Sequence, residues 1–297
     1  MQRNVGRRSV CATGEDAATL ASVTSTQPGS VIDLSGAANC RDLGGWAVGS
    51  EGVVRSGRIY RSTALNGLTD AGVDQLAALG LETVYDLRTT LERDLKPDRL
   101  PIGLDEVHLD VLADDPSNAA AGAADLESVL SDPKALEVGL AGAPLSSFLS
   151  EAYRGVVNLP SAVASYRRLF TDLARVADGE AGPTLFHCTT GKDRTGWASA
   201  ALLTFLGVAH DDVVAEYLLT NTQILPFTQR YYDTFAAAGG DPEVLRPVLG
   251  VERSYLDTAF EEMADRFGSI EDYFGAGLGL DDATLDALRS GLIEPRS

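Results

Sequence analysis

The 297-residue sequence is poor in cysteine, histidine, methionine and tryptophan, with 3, 3, 2 and 2 residues respectively. Three cysteines, Cys11, Cys40 and Cys188, are too few and too scattered for a disulfide framework in a chain of this size, which points to a reducing compartment. No CxxC occurs, and His108, His187 and His210 stand alone, so neither a closed zinc site nor a cofactor is expected. Positive charge is scarce too: 24 Lys+Arg face 43 Asp+Glu, a formal net charge of −19 with a pI near 4.4. That balance excludes bulk nucleic-acid binding, which needs a basic face to displace counterions. It equally excludes stable docking on an anionic membrane. The longest apolar stretch, around residues 198–209, is about a dozen residues, too short to span a bilayer. Arg3, Arg7 and Arg8 are followed by Glu15 and Asp16 before any apolar segment forms. No secretory signal is read, and a cytoplasmic location is expected.

What remains is the composition of an ordinary globular protein, 44% hydrophobic and 23% charged. Residues 1–29 are rich in Ser, Thr and Gly with weak periodicity and read as a mobile leader. Residues 30–297 read as one domain. Gly57–Arg61, Leu81–Leu87, Glu106–Leu112 and Thr184–Phe186 have the pattern of short strands. A helix is expected from Thr69 or Asp70, as its cap, to Gly80. Ser161–Ala177 carries Val163, Tyr166, Leu169, Phe170 and Leu173 on one helical face. Thr195–Leu206 is apolar nearly all round and reads as a buried helix. Residues 119–144, broken by Pro133 and Pro144, suggest short inserted helices. Four further helical patterns complete the C-terminal third. The succession predicts an α/β fold with a central, mostly parallel sheet of four or five strands flanked by helices.

The informative stretch is His187-Cys-Thr-Thr-Gly-Lys-Asp-Arg-Thr-Gly196, between a buried strand and a buried helix. Cys188 and Arg194 form C-x5-R. A loop that leaves a strand and enters a helix N-terminus aims backbone N–H groups inward, and with the helix dipole makes a nest for a tetrahedral oxyanion. Thr189, Thr190, Gly191, Lys192, Asp193, Arg194 and Thr195 would line it. Arg194 supplies a bidentate fork, and the positive surroundings favour Cys188 as a thiolate nucleophile. A Walker A loop is excluded, since Asp193 stands where Ser or Thr is required and Phe186 where the first Gly is required. No G-x-S-x-G occurs.

This string resembles the phosphate-binding loop of the cysteine-dependent protein tyrosine phosphatases, and in particular the bacterial and fungal branch of tyrosine/phosphoinositide phosphatases with HCxxGKDRTG. Asn39-Cys-Arg-Asp-Leu-Gly-Gly45 is similar to that branch's N-F-R-D-L-G-G, with Cys40 in place of the usual aromatic residue. Tyr60-Arg-Ser62, Leu68-Thr-Asp70, Val84-Tyr-Asp-Leu-Arg88, Glu216-Tyr-Leu-Leu-Thr-Asn221 and residues 255–280 also follow its pattern.

The resemblance implies metal-independent hydrolysis through a phosphocysteine on Cys188. Arg194 and the loop amides would stabilise the transition state, and Thr195 would assist the thiolate. His187 either orients the loop or is a satisfied half-buried histidine. Asp193, inside the loop, and Asp86, at a strand end where α/β sites collect, compete as general acid; Asp86 could equally be a salt-bridge partner of Arg88. Lys192 either meets a second phosphate or adds field. Arg41 lies beside the phosphate site, Asp42 is structural, and Arg88 either forms a structural pair or orders the pocket. Phe227, Tyr231, Tyr232 and Phe235 form either a helical lid or core. Apart from the resemblance, if the Cys40 loop abuts Cys188, a reversible disulfide between them would protect the nucleophile from over-oxidation. The substrates implied are phosphotyrosine proteins, with phosphoserine/threonine or phosphoinositides in addition. The alternatives are a phosphoinositide-specific phosphatase and a catalytically silent phosphate-binding module. Residues 211–297 hold 17 acidic against 6 basic side chains, so more than half of the net negative excess lies beyond the loop and is screened from it within about 10 Å at 0.1 M salt.

Overall fold

A computed structural model of the chain describes residues 27–115 and 145–295. The inserted helices expected over residues 119–144, and nearly all of the leader, lie outside the described residues. The central sheet contains β1 (Arg41–Asp42), β4 (Ile59–Ser62), β5 (Thr83–Asp86), β6 (Asp105–His108) and β7 (Thr184–His187). Its order is β1-β4-β7-β5-β6, with β1 antiparallel at one edge and the other four strands parallel. The register places Ser62 and Asp86 opposite His187, and Asp86 opposite His108. All four parallel strands therefore end level, and the segments that follow them meet at one edge of the sheet.

Side chains alternate across the pleat. Ile59, Tyr85 and Phe186 join the larger core, while Tyr60, Val84 and Leu185 join the smaller one. Helix α1 (Asp70–Ala78) lies on the smaller-core side, with Leu76 and Leu79 packed there. Its cap is Thr69, which accepts from the Gly72 amide. Helix α2 (Thr90–Leu95) is short and follows β5 directly. The larger core is covered by α3 (Leu145–Asn158), α4 (Pro160–Ala177), α5 (Arg194–Phe205), α6 (His210–Ala237), α7 (Arg253–Phe267) and α8 (Asp282–Leu292). Pro160 opens α4, where its missing N–H costs nothing. Tyr166, Leu169, Phe170 and Leu173 on its inner face are fully buried, each contributing about 1.5–3 kcal/mol. Helix α5 is buried on nearly every side, between the sheet and the helices α3 and α6 that pack on it, which explains its unbroken apolar sequence. Helix α6 runs 28 residues straight through Pro226; a proline removes one N–H, yet the helix continues to Ala237.

A second, three-stranded antiparallel sheet joins β2 (Ala47–Val48), β3 (Gly52–Val54) and β8 (Ile293–Pro295). It ties the end of the described chain to the segment between β1 and β4. Among the described residues no helix is long and apolar enough to cross a membrane.

Candidate active site

Strand β7 is buried throughout and delivers His187 and Cys188 to the level edge of the sheet. The chain then turns through Thr189–Asp193 and enters α5 at Arg194, so the first-turn amides of α5 have no intrahelical partner. Gly191 makes the turn. Its φ is +63°, and a Cβ there would lie 2.2 Å from the carbonyl oxygen of Ser62, so only glycine fits. The Gly191 carbonyl accepts from Asn39 Nδ2 at 2.8 Å and from Arg61 Nη2 at 2.5 Å. Thr195 is fully buried and its Oγ1 has no hydrogen-bond partner.

Behind the loop lies a buried charge triad. Glu216, on α6, accepts from Arg41 Nε at 2.7 Å through one oxygen and from Arg61 Nη1 at 2.8 Å through the other. Arg41 also donates to the Glu216 carbonyl at 3.1 Å, to Thr220 Oγ1 at 3.3 Å and to Asn39 Oδ1. Burial alone would raise the Glu216 carboxyl, but the two guanidiniums outweigh it and hold it below the usual carboxylate range. Burial, with Arg41 alongside, brings Arg61 down to about 10. Asp42 spends both oxygens on backbone, accepting from the Gly44 amide at 2.8 Å and the Gly57 amide at 2.5 Å.

Arg194 is met at the mouth by a residue that sequence reasoning missed. Glu92 accepts from Arg194 Nη1 at 2.6 Å and Nη2 at 2.9 Å, and from Thr189 Oγ1. Despite partial burial, Arg194 holds the Glu92 carboxyl far below its ordinary value, and the Arg194 guanidinium is held charged in return. The same carboxylate closes a capping box with Thr89, accepting its amide at 2.8 Å. The Thr-x-x-Glu spacing after β5 was the signal available in the sequence.

Asp86 and Arg88 form a buried bidentate pair at 2.8 and 2.7 Å. Arg88 also donates to Asp98 at 2.6 Å and to the Lys96 carbonyl at 2.7 Å. Burial opposes the charge on Asp86, but the Arg88 bonds prevail and its carboxyl is lowered. His187 Nε2 lies 3.1 Å from Asp98, off line for a hydrogen bond, and Nδ1 lies 3.2 Å from the Cys188 carbonyl. Asp86, Asp98 and His187 are close enough to share a metal ion; the Arg88 guanidinium already bridges the two carboxylates.

Lys192 is buried and donates to the carbonyls of Val248 at 2.5 Å and Gly250 at 3.0 Å, on the segment joining α6 to α7. Asp193 holds the N-cap of α5 without capping it: its side chain accepts instead from Tyr153 Oη, on α3, at 2.5 Å. The aromatic group on α6 divides. Phe227 is 61% exposed, whereas Phe235 is buried with Leu245 and Leu249, and Tyr231 and Tyr232 pack against them. Cys40 and Cys188 are both free and belong to different cores on opposite sides of the sheet. Burial pushes the Cys40 thiol up to about 12, so it packs as a small apolar side chain.

The profile of the tyrosine phosphatase family matches residues 32–294. A candidate tyrosine-protein phosphatase of Cupriavidus necator is 35% identical over 254 residues, 83% of this chain and 84% of its own length. The triple specificity protein phosphatase PtpB of Mycobacterium tuberculosis is 32% identical over 288 residues, 89% of this chain and 99% of its own. A tyrosine-protein phosphatase of Nostoc commune is 31% identical over 162 residues, 54% of this chain and 47% of its own. The family match extends from the segment before β1, through the Cys188–Arg194 loop, to β8. The chain belongs to the tyrosine phosphatase family and is a phosphoric monoester hydrolase.

Proposed function

We propose that the protein hydrolyses phosphotyrosine in two steps through a phosphocysteine on Cys188. The observation that carries this reading is the placement of Cys188 at the end of β7 and of Arg194 in the first turn of α5, on either side of a loop held open by Gly191. In the first step Cys188 Sγ attacks phosphorus, the S–P bond forms and the P–O bond to the leaving group breaks. Asp193 gives its proton to the departing oxygen. In the second, water attacks phosphorus and yields a proton to the Asp193 carboxylate, the S–P bond breaks and inorganic phosphate leaves. Thr195 Oγ1, buried and without a partner, is available to donate to the returning thiolate.

Arg194 keeps a free edge for this work. A guanidinium has five N–H groups. Glu92 takes one from each Nη, and the Leu87 carbonyl lies 3.4 Å from Nη1. One N–H on Nη2 and that on Nε remain, side by side, for two phosphate oxygens. Asp193 suits the acid's role better than Asp86 because its carboxyl lies within the loop, half-exposed, while both oxygens of Asp86 are spent on Arg88. Lys192, bonded to Val248 and Gly250, contributes field and anchors the α6–α7 segment rather than meeting a second phosphate. The free thiols of Cys40 and Cys188 suit a reducing cytoplasm.

The test is kcat/KM for a phosphotyrosine peptide, a phosphoserine peptide and a phosphoinositide, beside C188S. The triple specificity of the mycobacterial relative is the reason to include all three. Phosphotyrosine turnover abolished by C188S, with a denaturation-stable phosphoprotein trapped during wild-type turnover, is the expected result. Wild-type protein no more active than C188S would make the chain a phosphate-binding module instead.

A further inference from the structure

Asp193 is set among three tyrosines that the two-step reaction does not itself use. Tyr153 on α3 and Tyr217 on α6 are buried, and their hydroxyls hydrogen-bond to each other. Their rings meet edge to face, with centroids 6.4 Å apart and planes at 89°. Tyr255 on α7 packs on Tyr153 from the other side at 5.6 Å. Tyr153 Oη reaches Asp193 Oδ1 at 2.5 Å. Because the Tyr153 proton is given to Asp193, the Tyr153 oxygen accepts from Tyr217, and the three groups form one directed chain, Tyr217 to Tyr153 to Asp193. Burial first, and then the Asp193 charge, raises both hydroxyls well above the ordinary tyrosine value, so each keeps its proton to donate.

We propose that Tyr153, backed by Tyr217, is a positioning residue for the leaving-group proton: by donating to Oδ1 it forces the catalytic proton of Asp193 onto Oδ2 and fixes the carboxyl's rotation. An aspartate at a helix N-cap ordinarily turns its oxygens onto the first-turn amides. Asp193 makes no such bond, so its orientation depends on Tyr153 and on Lys192 Nζ at 3.7 Å. The loss of one hydrogen bond to a charged group is worth roughly tenfold or more in rate.

This inference rests on Asp193 being the general acid, and the experiment separates the two claims. Wild type, D193N, Y153F and Y153F/D193N are assayed on p-nitrophenyl phosphate, whose leaving group needs little protonation, and on phenyl phosphate, whose leaving group needs much. D193N should lose far more on phenyl phosphate. Y153F should also lose preferentially there, by roughly tenfold, and should add nothing to that preference in the D193N background. A merely structural role would lower both substrates alike. Y153F with equal losses on the two substrates, or with an additive loss in the double variant, overturns the positioning role while the acid assignment stands. D193N without the preference overturns both. Y217F removes only the outer hydroxyl, should shift the preference in the same direction by less, and decides the matter if Y153F does not fold.

Discussion

Replacing Glu216 by glutamine isolates the buried charge behind the loop. The carboxylate, 1% exposed, is the anion facing two guanidiniums that are themselves fully buried. Glutamine keeps the volume and one acceptor oxygen but leaves Arg41 and Arg61 facing each other without a counter-charge. Breaking a buried pair costs about 3–5 kcal/mol; with one acceptor retained, about 3 kcal/mol is expected at pH 7, or roughly 6–9 °C in Tm. The pH dependence carries the diagnosis. Because the folded-state carboxyl lies below its ordinary value of 4.5, its stabilisation is fully present above that pH and is lost as pH falls through the depressed folded value. The difference between wild type and E216Q in urea unfolding should therefore be constant from pH 7 to about pH 5 and shrink on further acidification. Arg61 also holds the Gly191 carbonyl, so the competitive inhibition constant of inorganic phosphate should rise in parallel. A stability difference under about 1 kcal/mol at pH 7, the level of a surface pair, or one unchanged on acidification, would refute the triad as the loop's support.

Three further outcomes follow from the same geometry. E92Q should fold normally, because its pair lies at the site's mouth, yet lose about ten- to a hundredfold in kcat on p-nitrophenyl phosphate as the Arg194 fork loses its alignment. G191A combines a left-handed φ with a Cβ pressed on the Ser62 carbonyl, so its activity should fall more than about tenfold, with a lower Tm from roughly 1–3 kcal/mol of strain. D86N should destabilise the fold by about 3 kcal/mol or more through the broken Arg88 pair, read as a lower Tm, while its kinetic losses should be equal for good and poor leaving groups.

The parts of the fold written locally were legible in the sequence. The helix opening at Thr69 or Asp70, the buried strand read over Thr184–Phe186 and the apolar helix read from Thr195 follow from neighbouring residues and a single period, and each lies within one residue of the observed boundary. The second sheet was not, because strands of two or three residues carry no alternation and β8 pairs with a segment more than two hundred residues away in the chain. Nor does the local sequence show that helix α6 continues through Pro226 to Ala237, since proline ordinarily interrupts a helix. The same distinction divides the site. Cys188, Gly191 and Arg194 declare themselves by spacing. Glu92, Tyr153 and Glu216 meet the site through pairings 97–102, 40 and 155–175 residues apart; the Thr-x-x-Glu spacing at Glu92 and the family-like string opening at Glu216 do not disclose these partners, and Tyr153 carries no local signal at all. Asp86 was ambiguous in the sequence because a strand-end carboxylate serves catalysis or an ion pair equally well; the structure adds the buried Arg88 contact, which local sequence does not show.

Adjacent residues on α6 serve opposite sides of the loop, and this bears on how so acidic a protein holds a phosphate. Glu216 fastens the Gly191 side through Arg61, and Tyr217 reaches the Asp193 side through Tyr153. The groups around the nucleophile can be counted by charge. Asp193 aside, Arg41, Arg61, Arg88, Lys192 and Arg194 are cationic and Glu92, Glu216, Asp86 and Asp98 are anionic, and a Cys188 thiolate brings the count to five against five. That balance stands against a net −19 for the whole chain. In the proposed mechanism a protonated Asp193 leaves the balance intact, so the proton needed by the leaving group also keeps one more negative charge away from a phosphate dianion. On that proposal binding and proton delivery depend on the same carboxyl, and the neutral, hydrogen-donating tyrosines beside it would orient that carboxyl without adding charge.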